Sequence, residues 1–124
     1  PVYRLLKAYT PGPYTFILPA TREVPRRLWH PKRKTIGIRV PSNPIARDLL
    51  DELGEPVMST SLILPESEMP ESDPYEIRQL LEHQVDLIID GGYGSLEPST
   101  VVEFEDGLPH VVRRGLGDPA PFEA

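Results

Sequence analysis

Sixteen of the 124 residues are proline, and their scatter along the chain excludes long regular elements. Proline locks φ and offers no backbone N–H, so it can start a helix or edge a strand but seldom sits inside either. The chain is therefore expected to fold as short, sharply punctuated pieces. Its length suits one domain with one core. It is 39% hydrophobic and 26% charged, as soluble globular chains are. With no cysteine, disulfides and thiolate metal sites are excluded, which agrees with a reducing, cytoplasmic location. No apolar run approaches the roughly 20 residues that span a bilayer, and no signal peptide is visible, so no membrane partner is expected. The sequence begins at Pro1 without methionine, as a processed chain or a fragment would.

Between the prolines, periodicity assigns the elements. "VYRLLKAYT" (Val2–Thr10) has helical spacing and is stopped by "TPGP". "YTFIL" (Tyr14–Leu18) reads as a strand, "VPRRLWHPKRK" as a basic loop or short helix, and Thr35–Val40 as a second strand. "SNPIARDLLDELGEP" is the clearest helix: Ser42 or Asn43 caps it, Pro44 opens it and Gly54 ends it, with Ile45, Leu49, Leu50 and Leu53 on one face. "SDPYEIRQLLEHQ" repeats the cap-proline-helix pattern and turns Ile77, Leu80 and Leu81 inward. Val57–Leu64 and Val85–Asp90 read as further strands, and "STVVEFE" and "HVVRR" as a hairpin about "DGLP". "GLGDPAPFEA" reads as a tail. Strands alternating with helices give an α/β class with a mixed sheet.

Charge is unevenly placed. Residues 1–47 hold ten Lys/Arg and one acid, a net +9, whereas residues 48–124 hold three Lys/Arg and eighteen Asp/Glu, a net −15. Seven of the thirteen basic residues fall between Arg22 and Arg39. A basic surface of this kind attracts phosphates of a nucleotide or a nucleic acid; equally, it is a solvated face balanced by the acidic half.

Strand alternation groups a set of polar side chains. Thr35, Gly37 and Arg39 share one face of their strand, Ser59 and Ser61 one face of theirs, and Ser99 and Arg113 fall on corresponding faces of the last two. If the strands are neighbours, two guanidiniums stand among small hydroxyls beside a glycine-cleared space. Arginine presents a planar fork that fits phosphate or carboxylate, and serine donates without taking up volume. The alternative is an ordinary exposed sheet face. Other chemistry has little support. His30, His83 and His110 lack ligand-like spacing, and neither G-x-S-x-G nor a Walker A sequence occurs. "GGYG" (Gly91–Gly94) reads as a turn. Glu66, Glu68, Glu71 and Asp73 match no calcium loop and read as a solvated acidic loop.

The strings "PGPYTFIL", "KRKTIGIRVPSNPIA", "LGEPVMSTS", "VDLIIDGGY", "PSTVV" and "VVRRGLGD" follow in the order and spacing of the YrdC/YciO family. The chain resembles that family from about Tyr9 to Phe122, and its "VPRRL", "STSL" and "ESDP" are similar to the YciO branch. The resemblance implies a twisted mixed α/β sheet with helices on one face and a concave basic surface. It implies a single domain over residues 1–124 that forms the C-terminal portion of the family domain and lacks its N-terminal part. The activity implied for a complete domain is formation of L-threonylcarbamoyl-AMP from threonine, bicarbonate and ATP, for tRNA modification. Mg2+ would travel with ATP as part of the substrate, and no tightly bound cofactor is implied. Thr35, Ser61 and Arg113 match nucleotide-binding positions; Arg39, Ser59 and Ser99 match positions around threonine. No catalytic residue and no metal ligand is implied: catalysis would rest on positioning and charge stabilisation.

Two departures stand out. Active synthases carry Ser-x-Asn and a Ser-Gly turn where this chain has Ser61, Leu62, Ile63, Leu64 and Pro65, so the amide facing the nucleotide belongs to Ile63. The family's threonine segment and its Lys/Arg pair for the triphosphate have no counterpart, and Lys32-Arg33-Lys34 stand in the wrong place to substitute. The chain alone is therefore expected to be inactive or nearly so, and to self-associate or depend on a missing N-terminal segment. The rival expectation is a non-catalytic module that binds double-stranded RNA or tRNA through Arg22, Arg26, Arg27, Lys32, Arg33 and Lys34. A regulatory or structural domain that kept the fold without the ligand is the third.

Overall fold

The computed structural model describes residues 2–94 and 97–123. The chain divides into two compact units: Pro1–Arg47 with Ser99–Ala124, and Asp48–Pro98.

The first unit is built on four strands, β1 (Tyr14–Pro19), β2 (Thr35–Ile38), β3 (Thr100–Glu105) and β4 (Leu108–Arg113), in the order β2-β1-β3-β4. β1 is antiparallel to β2 and parallel to β3, and β3 is antiparallel to β4, which makes the sheet mixed. The β3–β4 hairpin turns at Asp106 and Gly107, both at positive φ (53° and 77°). That pair of angles is the type I′ geometry whose twist matches paired strands, and Asp-Gly is its favoured sequence.

Alternation decides what the sheet buries. Tyr14 and Phe16 on β1, and Val102 and Phe104 on β3, point to one face and form the core with Phe122. Helix α1 (Val2–Ala8) lays Val2, Leu5 and Leu6 on this face, followed by Tyr9. The aromatic rings meet edge to face, Tyr9 to Phe122 at 5.2 Å and Tyr14 to Phe122 at 5.3 Å, an arrangement that adds to simple burial. Phe122 sits in the 3-10 turn Ala120–Phe122, so the segment read as a tail is part of the core. Thr100, fully buried, holds it in place: its hydroxyl donates to the Gly117 carbonyl at 2.6 Å and accepts from the Gly115 amide at 3.0 Å.

Helix α2 (Pro44–Leu53) matches its expected bounds. The Asn43 side chain accepts from the amides of Ile45 and Ala46 at 2.9 and 3.1 Å, as an N-cap does. Gly54 closes the helix at φ 74°, the left-handed conformation that glycine adopts without strain. Helix α3 (Pro74–Leu81), in the Asp48–Pro98 unit, is capped by Asp73, which accepts from the Tyr75 amide at 2.9 Å.

Two expectations fail in the Asp48–Pro98 unit. Val57–Leu64 and Val85–Asp90 are not strands. A β-forming composition prepares two faces, but a strand exists only where a neighbour takes its N–H and C=O groups. Among the described residues of this unit, no segment does so. The backbone bonds are local instead, from Ile63 N–H to Ser61 O at 3.0 Å and from Glu71 N–H to Leu62 O at 2.8 Å. The apolar side chains are accordingly left in the open: Met58 and Leu87 are each 77% exposed. Of the three α3 residues expected inward, Ile77 and Leu81 are half-buried and Leu80 is exposed, and on the apolar face of α2 Ile45, Leu49 and Leu53 are exposed.

Candidate functional site

The sheet of the first unit has a second face, opposite the aromatic core. Register pairs Pro19 with Thr35 and Ile17 with Gly37 on one side of β1, and Thr15 with Val101 on the other; Val101 in turn pairs with Arg113. Cross-strand partners share a face, so Thr35, Gly37, Thr15, Val101 and Arg113 all project to this side. Ser99, two residues before Val101, joins them. Arg39 follows the last ladder pair, Phe16 with Ile38, and so stands just past the end of β2 at one margin of the sheet, whereas Arg113 is on the edge strand at the other.

Arg113 is tightly held. Its Nε and one terminal nitrogen donate to the Ser99 carbonyl at 3.0 and 2.8 Å, and the same terminal nitrogen reaches the Ser99 hydroxyl at 3.1 Å. Ser99 is 5% exposed and its hydroxyl lies 2.7 Å from that of Thr15. The result is a guanidinium on a partly buried sheet face with a rigid backbone anchor. Among the described residues no carboxylate pairs with it, so its positive charge is available to an anion.

Arg39 differs from expectation. It is exposed rather than buried and has no ion pair among the described residues, because β2 ends at Ile38 and leaves the side chain beyond the last ladder pair. Gly37 does leave space: a Cβ there would meet only the Thr15 methyl, at 3.6 Å. Ser59 and Ser61 belong to the Asp48–Pro98 unit and lie in irregular backbone. Thr35, Ser99 and Arg113 share this face, but only Ser99 and Arg113 are brought into contact; Thr35 pairs with Pro19 at the other end of β1, on the opposite edge strand from Arg113, and Arg39 follows the end of β2. The sheet does not include the two serines. The amide of Ile63 is already bonded to the Ser61 carbonyl.

Thr15 escaped the sequence reading. The signal was there: it is a lone hydroxyl between Tyr14 and Phe16, and alternation puts it opposite both aromatics.

The six basic residues proposed for RNA all lie between β1 and β2, and all are exposed. Their segment is folded. The Trp29 indole donates to the Val24 carbonyl at 2.9 Å and carries the Arg26 guanidinium 5.7 Å above its ring. The His30 Nδ1 accepts from the amides of Lys32 and Arg33, both at 3.2 Å. None of the six cations is ion-paired among the described residues.

A concavity of about 360 Å³ occurs within the Asp48–Pro98 unit, lined by Leu62, Ile77, Leu81, Val85 and Leu87 among others. It is apolar, and none of the sequence-predicted site residues lines it.

Comparison with known proteins places this arrangement. The family model for Sua5, YciO and YrdC proteins, described as "Telomere recombination", matches residues 1–115. The chain belongs to the Sua5/YciO/YrdC family. Among family members it is 63% identical over 120 residues to the uncharacterized protein YciO of Escherichia coli K12. That alignment takes in 97% of this chain and 58% of the relative, so the chain spans little more than half the length of such a family protein. A protein named threonylcarbamoyl-AMP synthase from Halorhodospira halophila is 32% identical over 97 residues, covering 78% of this chain and 50% of that protein. The crystal structure of E. coli YciO matches with a TM-score of 0.91 over 98% of this chain and 59% of its own. The α/β fold with a mixed sheet is therefore the YciO fold.

Proposed function

We propose that this chain binds a nucleotide on the outer face of its sheet, and that in a family-length domain the bound ATP is converted to L-threonylcarbamoyl-AMP. The observation that carries this is the Arg113 guanidinium, fixed by Ser99 and free of any carboxylate partner among the described residues, in one row with Thr15. Thr35 and Arg113 would hold phosphate or ribose groups. Arg39 and Ser99 would hold threonine. The similarity to a threonylcarbamoyl-AMP synthase supports the same chemistry. In it, the threonine amine and bicarbonate give the N-carboxylate with loss of water, and an oxygen of that carbamate attacks the α-phosphorus of ATP; a new P–O bond forms as the bond to pyrophosphate breaks. Arginine charge would offset the charge that develops on the reacting oxygens, and Mg2+ would arrive on the triphosphate.

Titration of the chain with Mg-ATP, followed by amide chemical shifts, tests this. Shifts at Thr35 and Arg113 are expected, and Arg113→Lys should weaken binding because lysine lacks the fork. Silence at both positions overturns the proposal.

A second reading concerns the basic loop between β1 and β2. Its six cations, without an ion pair among the described residues and on a segment anchored by Trp29 and His30, suit the phosphate backbone of double-stranded RNA or tRNA. RNA affinity that falls steeply with salt, and falls again when Arg26, Arg27 and Lys32 become alanine, is expected. Affinity unchanged by that replacement would remove this reading.

A further inference from the structure

Thr15 is half-buried on β1 and pairs in register with Val101 of β3, which in turn pairs with Arg113. Its Oγ1 lies 2.7 Å from the Ser99 Oγ, and either oxygen can be the donor. The neighbouring bond decides between them. The Ser99 hydroxyl already accepts from Arg113 at 3.1 Å. If Thr15 also donated to it, both lone pairs of the Ser99 oxygen would be filled, and its proton would be left without an acceptor on a side chain only 5% exposed. Burying an unpaired O–H is unfavourable. The opposite polarity leaves nothing buried unpaired: Arg113 donates to Ser99, Ser99 donates to Thr15, and the spare proton belongs to Thr15, the more exposed of the two hydroxyls.

We propose that Thr15 is an additional ligand-binding residue, which donates its hydroxyl proton to an anionic oxygen lying on the sheet between Arg39 and Arg113. The relay begins at a guanidinium, so each hydroxyl is polarised by the donor behind it and Thr15 becomes a stronger donor than an isolated threonine. Arg113 keeps its other terminal amino group without a partner among the described residues. Together with Thr15 it presents donors to a single oxygen-rich group such as a phosphate. Gly37 puts no side chain against the Thr15 methyl, so nothing from β2 crowds Thr15 there.

This inference rests on the nucleotide proposal, and its test separates the two. Thr15→Val keeps the shape and removes the hydroxyl; Thr15→Ser keeps the hydroxyl. Binding of Mg-ATP and of inorganic pyrophosphate to the 124-residue chain is measured for the parent and both variants, alongside thermal unfolding. The expected result is a loss of about tenfold or more for Thr15→Val, as for a bond to a charged group. Thr15→Ser should stay close to the parent, with little change in unfolding midpoint for either variant. Parent-like binding by Thr15→Val overturns the inference and leaves nucleotide binding standing. So does equal loss in both variants, which marks a structural role. A parent that binds pyrophosphate as well as ATP and loses both in Thr15→Val supports Thr15 while removing preference for a nucleotide. A parent that binds neither overturns both proposals.

Discussion

Gly117 shows how closely the first unit is packed at the level of single atoms. A Cβ at this position would lie 2.5–2.8 Å from ring carbons of Tyr14, a side chain that is itself 7% exposed. The ring cannot move aside, because its hydroxyl donates to the Asp118 carbonyl at 3.0 Å and its face stacks on Phe16. Gly117→Ala should therefore lower stability by about 1–3 kcal/mol, as overpacking does, measurable by denaturant unfolding. Tyr14 also makes the fold sensitive to alkali. Burial, and then the nearby Asp118 charge, push its phenol above the ordinary value. Folding thus favours the neutral form. That contribution is complete below the unfolded value near 10, and it is lost as pH rises through the higher folded value. Unfolding midpoints measured from pH 8 to 11.5 should fall at the alkaline end, and fall less in Tyr14→Phe.

At the scale of elements, legibility depended on whether a segment finds its partner within this chain. Tyr14–Leu18 and Ser99–Glu105 were readable because aromatic and polar residues alternate, and each strand has a neighbour to bond with. Asp-Gly announced the hairpin, and Asn43-Pro44 and Asp73-Pro74 announced two helix starts. Val57–Leu64 has the same kind of composition, yet no described segment takes its hydrogen bonds, and pairing is what composition cannot specify. The site was divided in the same way. Thr35, Ser99 and Arg113 could be grouped by alternation because their strands do pair. Ser59 and Ser61 could not, because their segment is not a strand, and Thr15 was missed because the strand bearing it was read for its apolar residues. Hydrogen exchange tests the difference: amides of β1 and β3 should be protected, while those of residues 57–64 should exchange orders of magnitude faster.

Across the whole molecule, charge and apolar exposure run together. The Asp48–Pro98 unit contains thirteen Asp/Glu and one arginine, a net −12, while the remaining residues sum to +6. The acidic unit also exposes Val57, Met58, Leu87 and Ile89, apolar side chains whose burial in an interface would be favourable. Only five hydrophobic side chains are buried among the described residues, all in the first unit. Acidic self-repulsion opposes association of such a surface, and salt screens that repulsion. Sedimentation at rising salt should show the chain self-associating, and adding the part of a YciO protein that this chain does not cover should suppress it. A species that remains monomeric from low to high salt would contradict the expected stickiness.

β1 and β3 lie side by side although some eighty positions separate Tyr14 from Thr100 in the chain. Among the described residues, the intervening stretch Asp48–Pro98 adds no strand to the sheet. A protease that severs the backbone there would produce two fragments that stay zipped along the parallel ladder, with Phe122 wedged among the rings of the other piece. Such a nicked molecule should elute as one species in native buffer and as two once urea is added.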